Sequence, residues 1–235
     1  MNVNDIRNYF IGELKNERFT EDKTGQNTIE LLGASFIADK PAIFGTVNEE
    51  YVKAELAWYE SKSDNIHDIY GDDRDPPQAW QYSANKRGSI NSNYGLLINS
   101  DKYFQQYGMA LDELIRNPDS RRASMIYQRP SIWVEYEEHG KNDFICTNAV
   151  TYYIRASKLH AVVQMRSNDV VFGYKNDYAW QLYVLEQMVK DINSSTRADR
   201  DLGYGDINQE DLTAGDIIWQ VQNLHVYERH FNLVK

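Results

Sequence analysis

The sequence predicts an α+β fold, a large mixed sheet backed by helices with one helix buried at the centre. Apolar residues recur at helical spacing near both ends of the chain, and strand-like runs cluster between residues 121 and 166. No linker divides the 235 residues, so a single domain over 1–235 is expected.

Val3 to Lys15 places Ile6, Phe10 and Leu14 on one face, as a helix does. Thr24-Gly25 is a turn signal, and Thr28 to Ala38, rich in Ile, Leu and Phe, is a strand. Glu49 to Ser61 forms a second helix with Val52, Leu56 and Tyr59 on one side. Ser63 to Asn93 is polar, holds Gly71, Pro76, Pro77 and Gly88, and reads as a long, mostly irregular stretch of the kind that often carries function. Asp101 to Asn117 is helical and stops before Pro118. Arg121 to Tyr127, Phe144 to Arg155 and Leu159 to Arg166 are strands. In the last, Leu159, Ala161, Val163 and Met165 alternate with more polar neighbours. Tyr178 to Asp191 is the buried helix, with a stripe of Tyr178, Leu182, Leu185 and Val189 widened by Ala179 and Tyr183. Ser194 to Gly215 reads as a polar surface loop, and Asp216 to Tyr227 as the closing strand.

Composition narrows the function. A hydrophobic fraction of 42% and 17 Tyr build a packed core. The formal net charge of −10 argues against gripping a nucleic-acid backbone, which needs phosphate neutralisation. A small anionic ligand remains open, because a few arginines make a local positive pocket on an acidic protein. No apolar run is long enough to cross a bilayer, and Met1 to Phe10 lacks the pattern of a secretory signal. One Cys leaves no internal disulfide, which fits a reducing cytoplasm.

Taken singly, the candidate residues are weak. A lone Cys such as Cys146 is more often a small buried hydrophobe than a nucleophile. Arg121 and Arg122 fit a solvated pair after a turn, and Asp177 fits a helix N-cap. His225 and His230 lack the spacing of a helical zinc pair, so no metal is expected.

Their order along the chain carries more. Asn117-Pro118-Asp119-Ser120-Arg121-Arg122 comes first, then Cys146, then Gln164-Met165-Arg166-Ser167-Asn168-Asp169. Phe172-Gly173 with Asn176-Asp177 follows, then His225-x-Tyr227. From about Lys23 to Leu233 this resembles the thymidylate synthase family. Asp22-Lys23-Thr24-Gly25, Ile90 to Gly95, Met165 to Gly173 and Asn176 to Trp180 resemble the branch that hydroxymethylates deoxycytidylate in large lytic bacteriophages.

The resemblance implies a thymidylate-synthase-like fold and a set of roles. Cys146 matches the nucleophile that adds to C6 of the pyrimidine, which makes C5 reactive. It needs a lowered pKa, with Arg166 as the neighbour that stabilises the thiolate. Arg166, Ser167 and Lys23 match phosphate ligands, Lys23 standing where the synthases carry Arg. Arg121 and Arg122 match the pair that reaches across a two-fold interface, which implies an obligate homodimer. His225 and Tyr227 match the holders of the sugar 3′-hydroxyl. Glu55, in Glu-Leu-x-Trp, matches the general acid/base. Asp169 matches a polar position near base and folate, and Trp80 and Tyr94 match residues lining the folate and C5 region. The co-substrate implied is 5,10-methylenetetrahydrofolate, the site is a cytoplasm (a host's, if phage-encoded), and other nucleotide-synthesis enzymes are conceivable partners.

Three departures from the synthases shape the expected chemistry. Asp177 replaces the Asn that reads uracil; a carboxyl accepts from the amino group of cytosine, which points to dCMP. Cys146 is flanked by Ile145 and Thr147 rather than Pro and His. The chain ends at Lys235, without the tail that closes over folate, which favours water over hydride at the last step. The expected product is 5-hydroxymethyl-dCMP. A reductive dCMP methyltransferase, a CMP or dUMP hydroxymethylase and a non-catalytic nucleotide-binding homologue remain as alternatives.

Overall fold

The computed structural model describes residues 1–21, 25–201 and 211–235. Lys23 and Thr24 lie outside the described residues, as does the stretch 202–210 of the expected loop.

Helix α1 (Val3–Lys15) is opened by a reciprocal cap between Asn2 and Asp5 and buries Val3, Ile6 and Phe10. Strands β1 (Thr20–Glu21) and β2 (Asn27–Ile37) follow, then α2 (Glu49–Ser61), capped by Asn48 and ended by a left-handed Lys62. The buried face of α2 is Glu55, Trp58 and Tyr59 rather than the expected Val52, Leu56 and Tyr59, so a carboxyl is turned inward. The irregular stretch after it holds only a 3₁₀ turn at Ile66–Ile69 and α3 (Gln78–Ser83). Helix α4 (Tyr94–Asn99) was not anticipated. Its Gly95 lets it lie against α2, because a Cβ there would sit 1.8 Å from the carbonyl oxygen of Tyr59.

The helix expected over 101–117 is broken: Phe104 and Gln105 take left-handed backbone angles, and α5 runs only from Gln106 to Arg116. Then come β3 (Ser124–Ile126), α6 (Ile132–Glu135), β4 (Thr147–Arg155) and β5 (Lys158–Asp169). The strand expected from Phe144 thus starts three residues later, which leaves Cys146 in irregular chain just before it. Helix α7 (Gly173–Asp201) is twice as long as expected and covers the start of the expected loop. Its buried residues include Tyr174, Trp180, Gln181, Val184, Leu185, Met188 and Ile192; of the expected stripe only Leu185 is fully buried. Strand β6 (Thr213–Tyr227) completes a six-stranded mixed sheet of order β1-β2-β6-β5-β4-β3. The β5–β6 pair is parallel and the rest are antiparallel.

One face of the sheet packs on α7 and the other helices around one hydrophobic core. Directly paired residues share a face, so Ile126, Ala149, Gln164, Gln220 and Ser35 form one row across the opposite face. Ser35, Gln164 and Ile126 of that row are exposed.

Candidate active site

The functional side chains gather where β5 and β6 run out, α7 begins and the chain enters β4. Cys146 is half-buried. Arg166 braces it from β5: its backbone N–H donates to the Cys146 carbonyl at 2.9 Å, its Nε donates to the Ile145 carbonyl at 3.0 Å, and Nη2 lies 3.6 Å from Sγ. The guanidinium also covers the Phe144 ring, 4.9 Å from its centre. Burial pushes the thiol up to about 11, with Arg166 pulling it down and the charges of Asp177 and Asp143 pushing it up further. The expected lowered pKa is therefore overturned for the free site: Arg166 acts in the expected direction, but desolvation outweighs it.

Glu55 is 5% exposed, and one carboxyl oxygen accepts from both the Tyr51 hydroxyl and Trp80 Nε1, the latter at 3.1 Å. Trp80 Nε1 also reaches the Tyr51 oxygen at 3.0 Å. Burial raises Glu55 to about 7, against the pull of both donors. Tyr94 is buried and accepts from Thr147 Oγ1 at 3.0 Å, which ties α4 to the residue after Cys146.

Asp177 is not an N-cap. Helix α7 opens at Gly173, and Asp169 closes the turn before it, accepting from the N–H groups of Val171 and Phe172 at 3.0 Å each and of Gly173 at 3.4 Å. Asp177 lies a turn further in, and its Oδ2 accepts from Asn168 Nδ2 at 2.8 Å. Burial, then the charge of Glu55, raise it to about 8. His225 stands beside Asp169 across the parallel strands, 8% exposed, its Nδ1 3.4 Å from the Asn223 carbonyl. Burial lowers its pKa, and its ring meets Tyr227 edge-on at 4.8 Å. Ser167 is half-buried next to Arg166.

The described chain thus connects Cys146, Glu55, Trp80, Tyr94, Arg166, Ser167, Asp169, Asp177, His225 and Tyr227. It does not bring Arg121 and Arg122 to them. Both are exposed, and Arg122 pairs with Glu113 at 3.0 Å. From the β3–β4 register Arg122 lies level with Tyr153, roughly 20 Å along β4 from Cys146. Lys23 lies outside the described residues. Three side chains escaped the sequence: Tyr51, Thr147 and Asn168. Tyr51 stands four residues before Glu55 on one helical face, a spacing that would have found it. Among the described residues no three His, Cys, Asp and Glu side chains gather as a metal site would, and no helix is long and apolar enough to cross a membrane.

The thymidylate synthase family model matches residues 11–199. The chain belongs to the thymidylate synthase family. It is 52% identical to the deoxycytidylate 5-hydroxymethyltransferase of Enterobacteria phage T4 over 234 residues, 100% of this chain and 89% of that protein. The phage T2 protein of the same name matches equally. A thymidylate synthase of Bacillus atrophaeus is 25% identical over 189 residues, 77% of this chain and 71% of that one. The α+β class, the mixed sheet and the family expected from the motifs are borne out.

Proposed function

We propose that the protein transfers a one-carbon unit from 5,10-methylenetetrahydrofolate to C5 of dCMP and adds water, giving 5-hydroxymethyl-dCMP and tetrahydrofolate. The observation that carries this is Asp177, a carboxyl close enough to Cys146 to raise its pKa, in a chain 52% identical to phage deoxycytidylate 5-hydroxymethyltransferases.

The residues fit a folate. Trp80 is half-buried with its N–H turned inward to Glu55, and Phe172 is 45% exposed beside Asp169, so ring faces and acceptors are available to a flat, N–H-bearing heterocycle. When bound, the folate supplies carbon at the oxidation level of formaldehyde. Trp80, Tyr94 and Asp169 orient it.

Cys146 Sγ bonds C6 of the pyrimidine, which makes C5 the nucleophile. Arg166, Ser167 and Lys23 hold the phosphate, and His225 and Tyr227 hold the sugar 3′-hydroxyl. Asp177 accepts from the N4 amino group. C5 bonds the one-carbon unit and loses its proton, the C–N bond to tetrahydrofolate breaks, and Glu55, poised at about 7, takes a proton from the water that adds to the resulting exocyclic methylene. Elimination of Cys146 then frees the product. The whole chain acts as one catalytic domain in the cytoplasm of a host cell.

Arg121 and Arg122 serve the site of a second copy. Their distance from Cys146 and the row of exposed side chains on the open sheet face support a homodimer that packs sheet to sheet.

Mass spectrometry of the products from purified protein, methylenetetrahydrofolate and either dCMP or dUMP tests the reading. Hydroxymethyl-dCMP is expected. Methyl-dCMP would overturn the water step, and a preference for dUMP would overturn the role of Asp177.

A further inference from the structure

Asp177 is held by its own chain in a way that restricts what it can offer a ligand. Asn168 Nδ2 donates to Asp177 Oδ2 at 2.8 Å, while Asn168 Oδ1 accepts from Trp219 Nε1 at 3.2 Å. An indole N–H only donates, so it fixes which end of the Asn168 amide faces it. Turning the amide over would set N–H against N–H. Asn168 is 3% exposed and Trp219 0%, so water does not relieve such a mismatch. At Gly173 a Cβ would lie 3.1 Å from Asn168 Nδ2 and 3.9 Å from Asp177 Oδ2, so the absent side chain keeps this contact uncrowded.

We propose that Asn168 and Trp219 are positioning residues that set the choice of base: the indole pins the amide, and the amide pins the Asp177 carboxyl so that Oδ2 only accepts. This rests on the reading that Asp177 meets the pyrimidine edge. With an N–H aimed at Oδ2, the acid's proton is favoured on Oδ1; the Tyr94 hydroxyl is a second hydrogen-bond partner of this carboxyl and lowers its pKa. The acid form is present at neutral pH, because burial and the charge of Glu55 raise Asp177 to about 8. In the pose we propose, Oδ2 faces the group at position 4 as an acceptor and Oδ1–H faces N3 as a donor. Cytosine presents the matching donor and acceptor; uracil presents the reverse. A carboxylic acid free to carry its proton on either oxygen fits both bases. One held by Asn168 fits cytosine alone. Neither Asn168 nor Trp219 needs to touch the nucleotide.

The test is the ratio of kcat/KM for dCMP to that for dUMP, a quantity that a general loss of packing leaves unchanged. It is measured in the wild type, Asp177→Asn, Trp219→Phe and the double variant Asn168→Leu with Trp219→Phe. The double variant removes both polar partners together and so orphans no buried N–H between them. The ratio is expected to fall about tenfold or more in the double variant and about threefold in Trp219→Phe. Should the double variant not fold, Trp219→Phe carries the same comparison. A ratio within about twofold of wild type in the folded variants would overturn the proposal. A wild type without preference for dCMP overturns the base reading itself; a preference lost in Asp177→Asn but kept in the double variant overturns the relay alone.

Discussion

Removing the Tyr51 hydroxyl tests the role of Glu55 through a single hydrogen bond. In the free site Glu55 sits at about 7, raised by burial and held back by the donors Tyr51 and Trp80. Both donors favour the ionised form, so Tyr51→Phe removes a hydrogen bond that holds the pKa down, and it rises. A hydrogen bond to a charged group is worth about 1.5–3 kcal/mol. Trp80 Nε1 is shared between the Tyr51 oxygen and Glu55 and turns wholly to Glu55 once the hydroxyl is gone, which returns part of that loss. The net, about 1.4 kcal/mol, corresponds to about one pH unit. The assay is the pH profile of kcat/KM for dCMP. If ionised Glu55 is the base, the acid limb moves from about 7 in the wild type to about 8 in the variant. The second ionisation of the dCMP phosphate, near pH 6, is common to both proteins and cancels in the comparison. A limb that stays in place or moves to lower pH would refute the assignment of Glu55 as the group that titrates.

Three other outcomes are expected. Asp143→Asn removes a charge that raises the Cys146 thiol but keeps an acceptor for the N–H groups of Asn91 and Ser92, now held at 2.6 and 2.8 Å. The pH midpoint for alkylation of Cys146 by iodoacetamide should drop by about 0.5–1 pH unit, and an unchanged midpoint would remove Asp143 from the electrostatics of the nucleophile. Mixing inactive Cys146→Ser with inactive Arg122→Ala should restore part of the activity through hybrid dimers; no recovery from a mixture shown to exchange subunits would place the arginine in its own chain's site. Finally, carboxyls raised in the folded state bind protons more tightly there than in the unfolded chain, so their contribution to stability is complete below about pH 4 and is lost as pH rises through their folded values. Those values are about 7 for Glu55 and about 8 for Asp177. The melting temperature should therefore fall less between pH 5 and 8 in Asp177→Asn than in the wild type, and parallel curves would count against a protonated Asp177.

What the sequence made legible follows from how local each signal is. The bounds of helix α2 match the sequence reading because its cap, Asn48, adjoins it and its periodicity is local, although that periodicity pointed to Val52 and Leu56 rather than Glu55 and Trp58 as the inward face. The start of α7 does not, because the turn before it is closed by Asp169 at the end of the preceding strand and Asp177 offered a local N-cap signal instead. Its continuation through Ser194, Ser195 and Thr196 ran against weak helix propensity. The break at Phe104 and Gln105 was invisible because neither residue is the glycine that left-handed angles favour. At the site, Cys146, Arg166, Asp177 and His225 were found from the order of motifs. Asn168 stood inside one of those motifs, yet its meaning depends on Trp219, 51 residues away on β6. Contacts of that separation leave no periodicity to read.

Burial governs protonation in the site. Burial raises three acids by different amounts, Glu55 to about 7, Asp177 to about 8 and Cys146 to about 11. A chain of net charge −10 would repel a nucleotide from a pocket of ionised carboxylates, but burial raises Glu55 and Asp177 toward their neutral forms, and Arg166 adds positive charge. In the proposed reaction, the raised Asp177 supplies the proton that N3 requires when sulfur adds at C6. Burial raises both carboxyls into the range where a group gives a proton at one step and takes one at another, so position separates the roles proposed for them. Asp177, held by Asn168 beside Cys146, is placed to meet the base in the proposed reaction, and Glu55, held by Tyr51 and Trp80, to handle water.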